Sequence, residues 1–210
     1  MARNKCIALA SIAASMNCVD TDNRAGIVDK VLYGYAEDVA TWPTLPVGTD
    51  QNPLTLEDAG KWDGNLAMKN NKSLFELHFT DETGELKITD QGDKGSKSFL
   101  YELELTRAKM NATMFGFENA IKDRNLIVLV RDRNGLWYLM GDEMVPAVKV
   151  DGEGSTTGKA GTDQNRTSLK FQYTCPRKLV YEGEVDSLLI AVTGTDHNQP
   201  IVGGDISQGG

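Results

Sequence analysis

Leu126-Ile127-Val128-Leu129-Val130-Arg131-Asp132-Arg133-Asn134-Gly135-Leu136-Trp137-Tyr138-Leu139-Met140 sets two apolar runs on either side of a polar break. Asn-Gly tolerates the positive φ that tight hairpin turns require, and the flanking residues are branched or aromatic. The stretch therefore predicts strands over Leu126 to Val130 and Leu136 to Met140, joined by a turn at Asp132 to Gly135. Upstream, Met110, Met114, Phe117 and Ile121 recur at spacings of three and four, which predicts one helix from about Asn111 to Asp123 with Asn111 as its cap.

Further out the period changes to two. Phe99, Tyr101, Leu103 and Leu105 alternate with Glu102 and Glu104 in a strand with one wet face. Leu74 to Thr80 alternates as well, and Asp81 to Gly84 followed by Glu85 to Thr89 reads as its hairpin return. Gln91 to Lys97 reads as a mobile connection. A strand is predicted near Val28 to Tyr35. Ala40 to Gly60 holds Pro43, Pro46 and Pro53, which exclude a central strand or helix, so a long extended loop is expected. Downstream come a strand over Ala147 to Val150, a glycine-rich flexible loop from Asp151 to Gly161, a strand through Leu169, Phe171 and Tyr173, another over Leu188 to Thr193, and a polar tail from Gly194 to Gly210. The expected fold is mainly β: a β-sandwich or barrel with one flanking α-helix (about 111–123), long loops and terminal arms. Its organisation is an N-terminal segment 1–25, a domain 26–193 and a tail 194–210.

Composition narrows the function. Of 210 residues, 40% are hydrophobic, enough for a core; 22 are basic against 30 acidic, and the net charge of -8 opposes a sequence-independent grip on phosphates. Cys6, Cys18 and Cys175 form no CxxC pair, and His78 and His197 are the only histidines, so neither a zinc site nor a disulfide framework is expected. Arg3 and Lys5 before the apolar Ile7 to Ala14 imitate a lipoprotein leader ending at Cys18. Met16 and Asn17 are not the small residues such a site prefers, and a structural N-terminal segment is expected. No stretch approaches the roughly eighteen apolar residues of a membrane span, and no membrane insertion is expected.

Candidate chemistries fail one by one. Gly154 to Lys159 resembles a phosphate loop, but Glu153 stands where its first glycine belongs, Ala160 replaces the metal-binding hydroxyl, and a strand pattern follows. Asp20, Asp22 and Gly26 suggest a calcium loop, yet Tyr33 to Ala36 supplies no glutamate. Glu102/Glu104 and Asp81/Glu82 read as solvated pairs, no Gly-x-Ser-x-Gly elbow exists, and His78 reads as a packed or surface residue. Met110, Met114, Met140, Phe115 and Phe117 read as core in preference to a docking face. The expectation is a non-enzyme with no catalytic, cofactor-binding or metal residue.

The Gly26-Ile27-Val28-Asp29-Lys30-Val31-Leu32-Tyr33 strand, the helix, the Leu126 to Gly141 hairpin and the Thr157 to Phe171 segment together resemble the tail tube proteins of tailed bacteriophages. The last segment resembles that family's glycine-threonine loop, Asp-x-Asn turn and long strand, though Arg166 stands where glycine commonly follows the asparagine. The resemblance covers roughly Gly26 to Leu179. It implies a virion protein, made in the host cytoplasm, whose hexameric rings stack into a hollow conduit for phage DNA. Its partners are then copies of itself and other tail proteins, while the genome passes without specific binding. Ring and stacking contacts are expected from Trp42, Pro43, Pro46 and Pro53, from Thr157, Lys159, Asp163 and Asn165, and from His197. Glu102 and Glu104 are the lumen-facing candidates. Two alternatives stay open: another virion component (tail terminator, adaptor or decoration protein), or a monomeric carbohydrate- or protein-binding β-sandwich using Trp42, Trp62 and Trp137 as stacking platforms.

Overall fold

The computed structural model describes residues 7–12 and 23–189. In chain order the elements are β1 (Ile27–Tyr35), β2 (Val39–Thr41), β3 (Ala67–Met68), β4 (Phe75–His78), β5 (Glu85–Gln91), β6 (Ser98–Ala108), α1 (Ala112–Ile121), β7 (Leu126–Asp132), β8 (Trp137–Met140), β9 (Val148–Val150), β10 (Ser155–Thr156) and β11 (Arg166–Cys175). The hairpin β7–β8 turns where its sequence demands: Gly135 takes φ +97°, and Asp132 Oδ1 accepts the N–H groups of Asn134 and Leu136 at 2.9 and 2.8 Å.

Strands β4-β1-β7-β8 form one antiparallel sheet; β10-β11-β6-β5, with β9 also on β11, form a second; β2 and β3 pair separately. The result is a mainly β, sandwich-like fold with one α-helix. Leu126 to Val130 on β7 are wholly buried, because both faces of this sheet are covered. Register puts Val31, Val128 and Val130 on one face and Leu32, Ile127, Leu129 and Leu139 on the other. Leu74 and Met68 close over the second face so tightly that a Cβ on Gly34 would meet Leu74 Cδ2 at 2.7 Å. This cover is irregular chain, held by two buried tyrosines. Tyr181 Oη accepts Leu66 N–H, and Tyr101 Oη accepts Leu179 N–H, each at 2.9 Å. Burial pushes the Tyr101 hydroxyl up to about 12, so it stays a neutral hydrogen-bonding post.

In the second sheet, β11 alternates buried and half-buried without interruption along its length: Thr167, Leu169, Phe171, Tyr173 and Cys175 point inward. Helix α1 starts at Asn111, whose side chain accepts Met114 N–H at 2.8 Å, and buries Met114 and Ile121. Met140 is also core, while Phe115 stays 43% exposed.

Several expectations need correction. Leu74 to Thr80 and Glu85 to Thr89 do not pair with each other: β4 joins β1 and β5 joins β6. Asp81 to Gly84 instead carries the chain from one sheet to the other. Arg133 Nη2 holds Asp81 Oδ1 at 2.6 Å there, and Thr80 N–H donates to Thr106 O at 2.9 Å. The expected Gln91 to Lys97 connection joins β5 to β6, with Gly92 and Gly95 at positive φ. The Ala40 to Gly60 segment begins within β2 and contains a 3-10 turn, Asp58–Gly60. Ser155 and Thr156 in the expected flexible loop pair with β11. Asp186–Leu188 is a 3-10 turn and Leu189 bridges Leu74, so no strand starts at Leu188; the rest of that expected strand, the tail 194–210 with His197, Cys6, Cys18, Asp20 and Asp22 lie outside the described residues.

Candidate functional surface

The outward face of the β5-β6-β11 sheet is broad and polar. Register places Glu85 opposite Glu104, Lys87 opposite Glu102, Lys170 opposite Glu104 and Gln172 opposite Glu102, with Thr106 opposite Ser168. Lys170 Nζ reaches Glu102 and Glu104 at 3.0 and 2.7 Å, and Gln172 donates to Glu102 at 2.8 Å. These bonds hold the Glu102 carboxyl below its ordinary range and the Lys170 ammonium above its own, with Glu104 the larger influence on Lys170. Glu104 is the more open of the pair, with 58% of its side chain exposed against 20% for Glu102. The face therefore carries Glu85, Glu102 and Glu104 against Lys87, Arg166 and Lys170. Its central cation is already taken up by carboxylates.

Beside one end of this face lies the 151–165 loop. Asp163 accepts the N–H groups of Lys159 and Ala160 at 2.8 Å each, and these bonds hold its carboxyl below the usual range. Gly158, at φ +75°, approaches so closely that a Cβ would meet Asp163 Cβ at 2.7 Å. Asn165 accepts Met110 N–H at 2.9 Å through its side chain and Lys109 N–H at 2.7 Å through its carbonyl, tying the loop to the end of β6. Thr157, Lys159, Asp163 and Asn165 are all exposed. Arg166, at the expected glycine position, pairs with Glu153 at 2.6 Å.

The 40–60 loop is less available than its sequence suggests. Pro43 and Pro46 are buried in this chain's own fold, and Arg177 donates to Pro46 O. At these two prolines loop 40–60 packs on its own domain. Pro53 is exposed; Trp42 is half-buried against the core. Trp42 also lines a cleft of about 420 Å³ with Tyr35, Glu37, Asp123, Arg124, Glu143 and Met144. Sequence reasoning missed this cleft because its walls come from four separate connections. The only local signal was the excess of acids among them.

As stacking platforms the tryptophans fare poorly. Trp62 is 7% exposed, and Trp137 is half-buried with Arg131 5.7 Å from its ring. His78 is exposed and bonds Glu76 at 3.2 Å. Among the described residues no group of three or more His, Cys, Asp or Glu side chains is arranged to hold a metal, and no helix is long and apolar enough to cross a membrane. No protein-family model, curated protein or solved structure matches this chain.

Proposed function

We propose that the chain is a non-enzymatic structural subunit that assembles with copies of itself into stacked rings around a hollow tube, the tail tube of a tailed bacteriophage. The observation that carries this reading is the broad polar face of the second sheet. A wall past which a polyanion slides must be wet, and its cations must be balanced by acids. Here Lys170, at the centre, is bonded by Glu102 and Glu104, and Lys87 stands opposite Glu102. To a monomer such matching adds little stability, since surface ion pairs contribute about 0–1 kcal/mol each. The exposed, internally braced 151–165 loop suits a contact between subunits, because little entropy remains to be lost when it docks.

Negative-stain electron microscopy of the purified chain over a concentration series tests the proposal. Rings or hollow tubes are expected. Dispersed monomers at every concentration would sink it and favour a monomeric module binding its ligand in the Tyr35 and Trp42 cleft.

A further inference from the structure

Residues 7–12 touch the rest of the chain at Leu54: Ile7 bridges it, and Ala8 N–H donates to its carbonyl at 2.9 Å. Beyond that anchor, Leu9 is 90% and Ile12 88% exposed, and Val47 on the 40–60 loop is 81% exposed. Bare aliphatic side chains in one short extended segment mark a surface that another body covers. The sequence from Met1 to Val19 also carries Arg3 and Lys5 and no acid, in a chain whose net charge is -8.

The complement of such a segment is the cleft of about 420 Å³ described above. Glu37, Asp123 and Glu143 on its lining are exposed, form no ion pair among the described residues and outnumber the cation there, Arg124. Tyr35 and Trp42 supply an apolar wall, and Met144 stands 90% exposed at the rim.

We propose that the basic, apolar N-terminal segment of one copy, from Arg3 to Ile12, seats in the Glu37, Asp123 and Glu143 cleft of a second copy. Arg3 and Lys5 meet the carboxylates; Leu9 and Ile12 pack against the cleft wall and Met144. Arm and cleft are different surfaces, so the contact is heterologous and propagates from copy to copy. It rests on the self-assembly reading above and names one of its contacts.

Charge reversal on each side tests it in the full chain. Arg3→Glu/Lys5→Glu and Asp123→Lys/Glu143→Lys are each expected to raise the concentration needed for assembly at least tenfold. Combining the four reversals should return it close to the starting value. Asp123 and Glu143 form no side-chain bond among the described residues, and unchanged thermal unfolding of each variant verifies that folding is not the cause. A covalent trap gives an independent readout. Glu143→Cys, oxidised beside the native Cys6, should yield a ladder of linked copies on a denaturing gel, abolished by Cys6→Ser. Assembly unaffected by either reversal, or no rescue and no ladder, overturns this contact while leaving the tube reading intact. A chain that stays monomeric at every concentration overturns both.

Discussion

Asp163 shows how a single carboxylate keeps a surface loop in one shape. Its charged form is the better acceptor for the Lys159 and Ala160 N–H groups, so folding favours ionisation and the folded pKa lies below the unfolded one. That contribution is whole above the unfolded value of about 4 and is lost as pH falls through the lower folded value. Hydrogen-exchange protection of these two amides should accordingly be full at neutral pH and decline in acid below about pH 4. In Asp163→Asn it should already be reduced at neutral pH and vary little across the same window. Equal pH dependence in both proteins would refute the role given to the charge. Glu102 titrates with the same sign, and Lys170 with the opposite: its raised pKa contributes below the unfolded value and is lost as pH rises through the folded one.

Among the elements, α1 is the one whose start depends on a single side chain. Asn111 satisfies an N–H that the helix itself leaves without a partner, and the helix otherwise holds on through Met114, Ile121 and the half-buried Phe117. Asn111→Ala should destabilise the protein by about 1 kcal/mol, visible as a lower urea midpoint at unchanged slope, and Asn111→Asp should recover most of it. This helix and its cap were legible in the sequence because their signals are local. So was the β7–β8 hairpin, whose Asn134-Gly135 dipeptide fixes turn and register together. Strand partners were not. Alternation marked Leu74 to Thr80 and Glu85 to Thr89 as strands, but period-two patterning is blind to which edge a strand joins, and the crossover at Asp81 to Gly84 looks like any other turn. The short β2, β3 and β10 carry no period at all. On the polar face, Glu102 and Glu104 could be read as wet from β6 alone; that Lys170 bonds both required the β6–β11 register.

At the scale of the whole molecule, matched charge on the second sheet makes a prediction about transport. Glu102→Gln/Glu104→Gln releases Lys170, and if the chain forms the proposed tube, assemblies of this variant should retain labelled DNA more than wild-type assemblies do, most visibly at low salt. Identical retention would remove these residues from the lumen. Connectivity has a separate consequence, for the order in which the chain can fold. Strand β1 hydrogen-bonds β7, Val31 lying opposite Val130, and β6 pairs with β11 as far as Cys175. Both sheets thus wait for distant partners, and such pairing is slow to nucleate because a long loop must close first. On the ribosome the first half of the polypeptide has no finished sheet to join, and Asp123 and Glu143 are translated long after Leu9 and Ile12. On the proposed self-assembly, a subunit that cannot polymerise until it is fully made would be protected from growing onto half-synthesised neighbours.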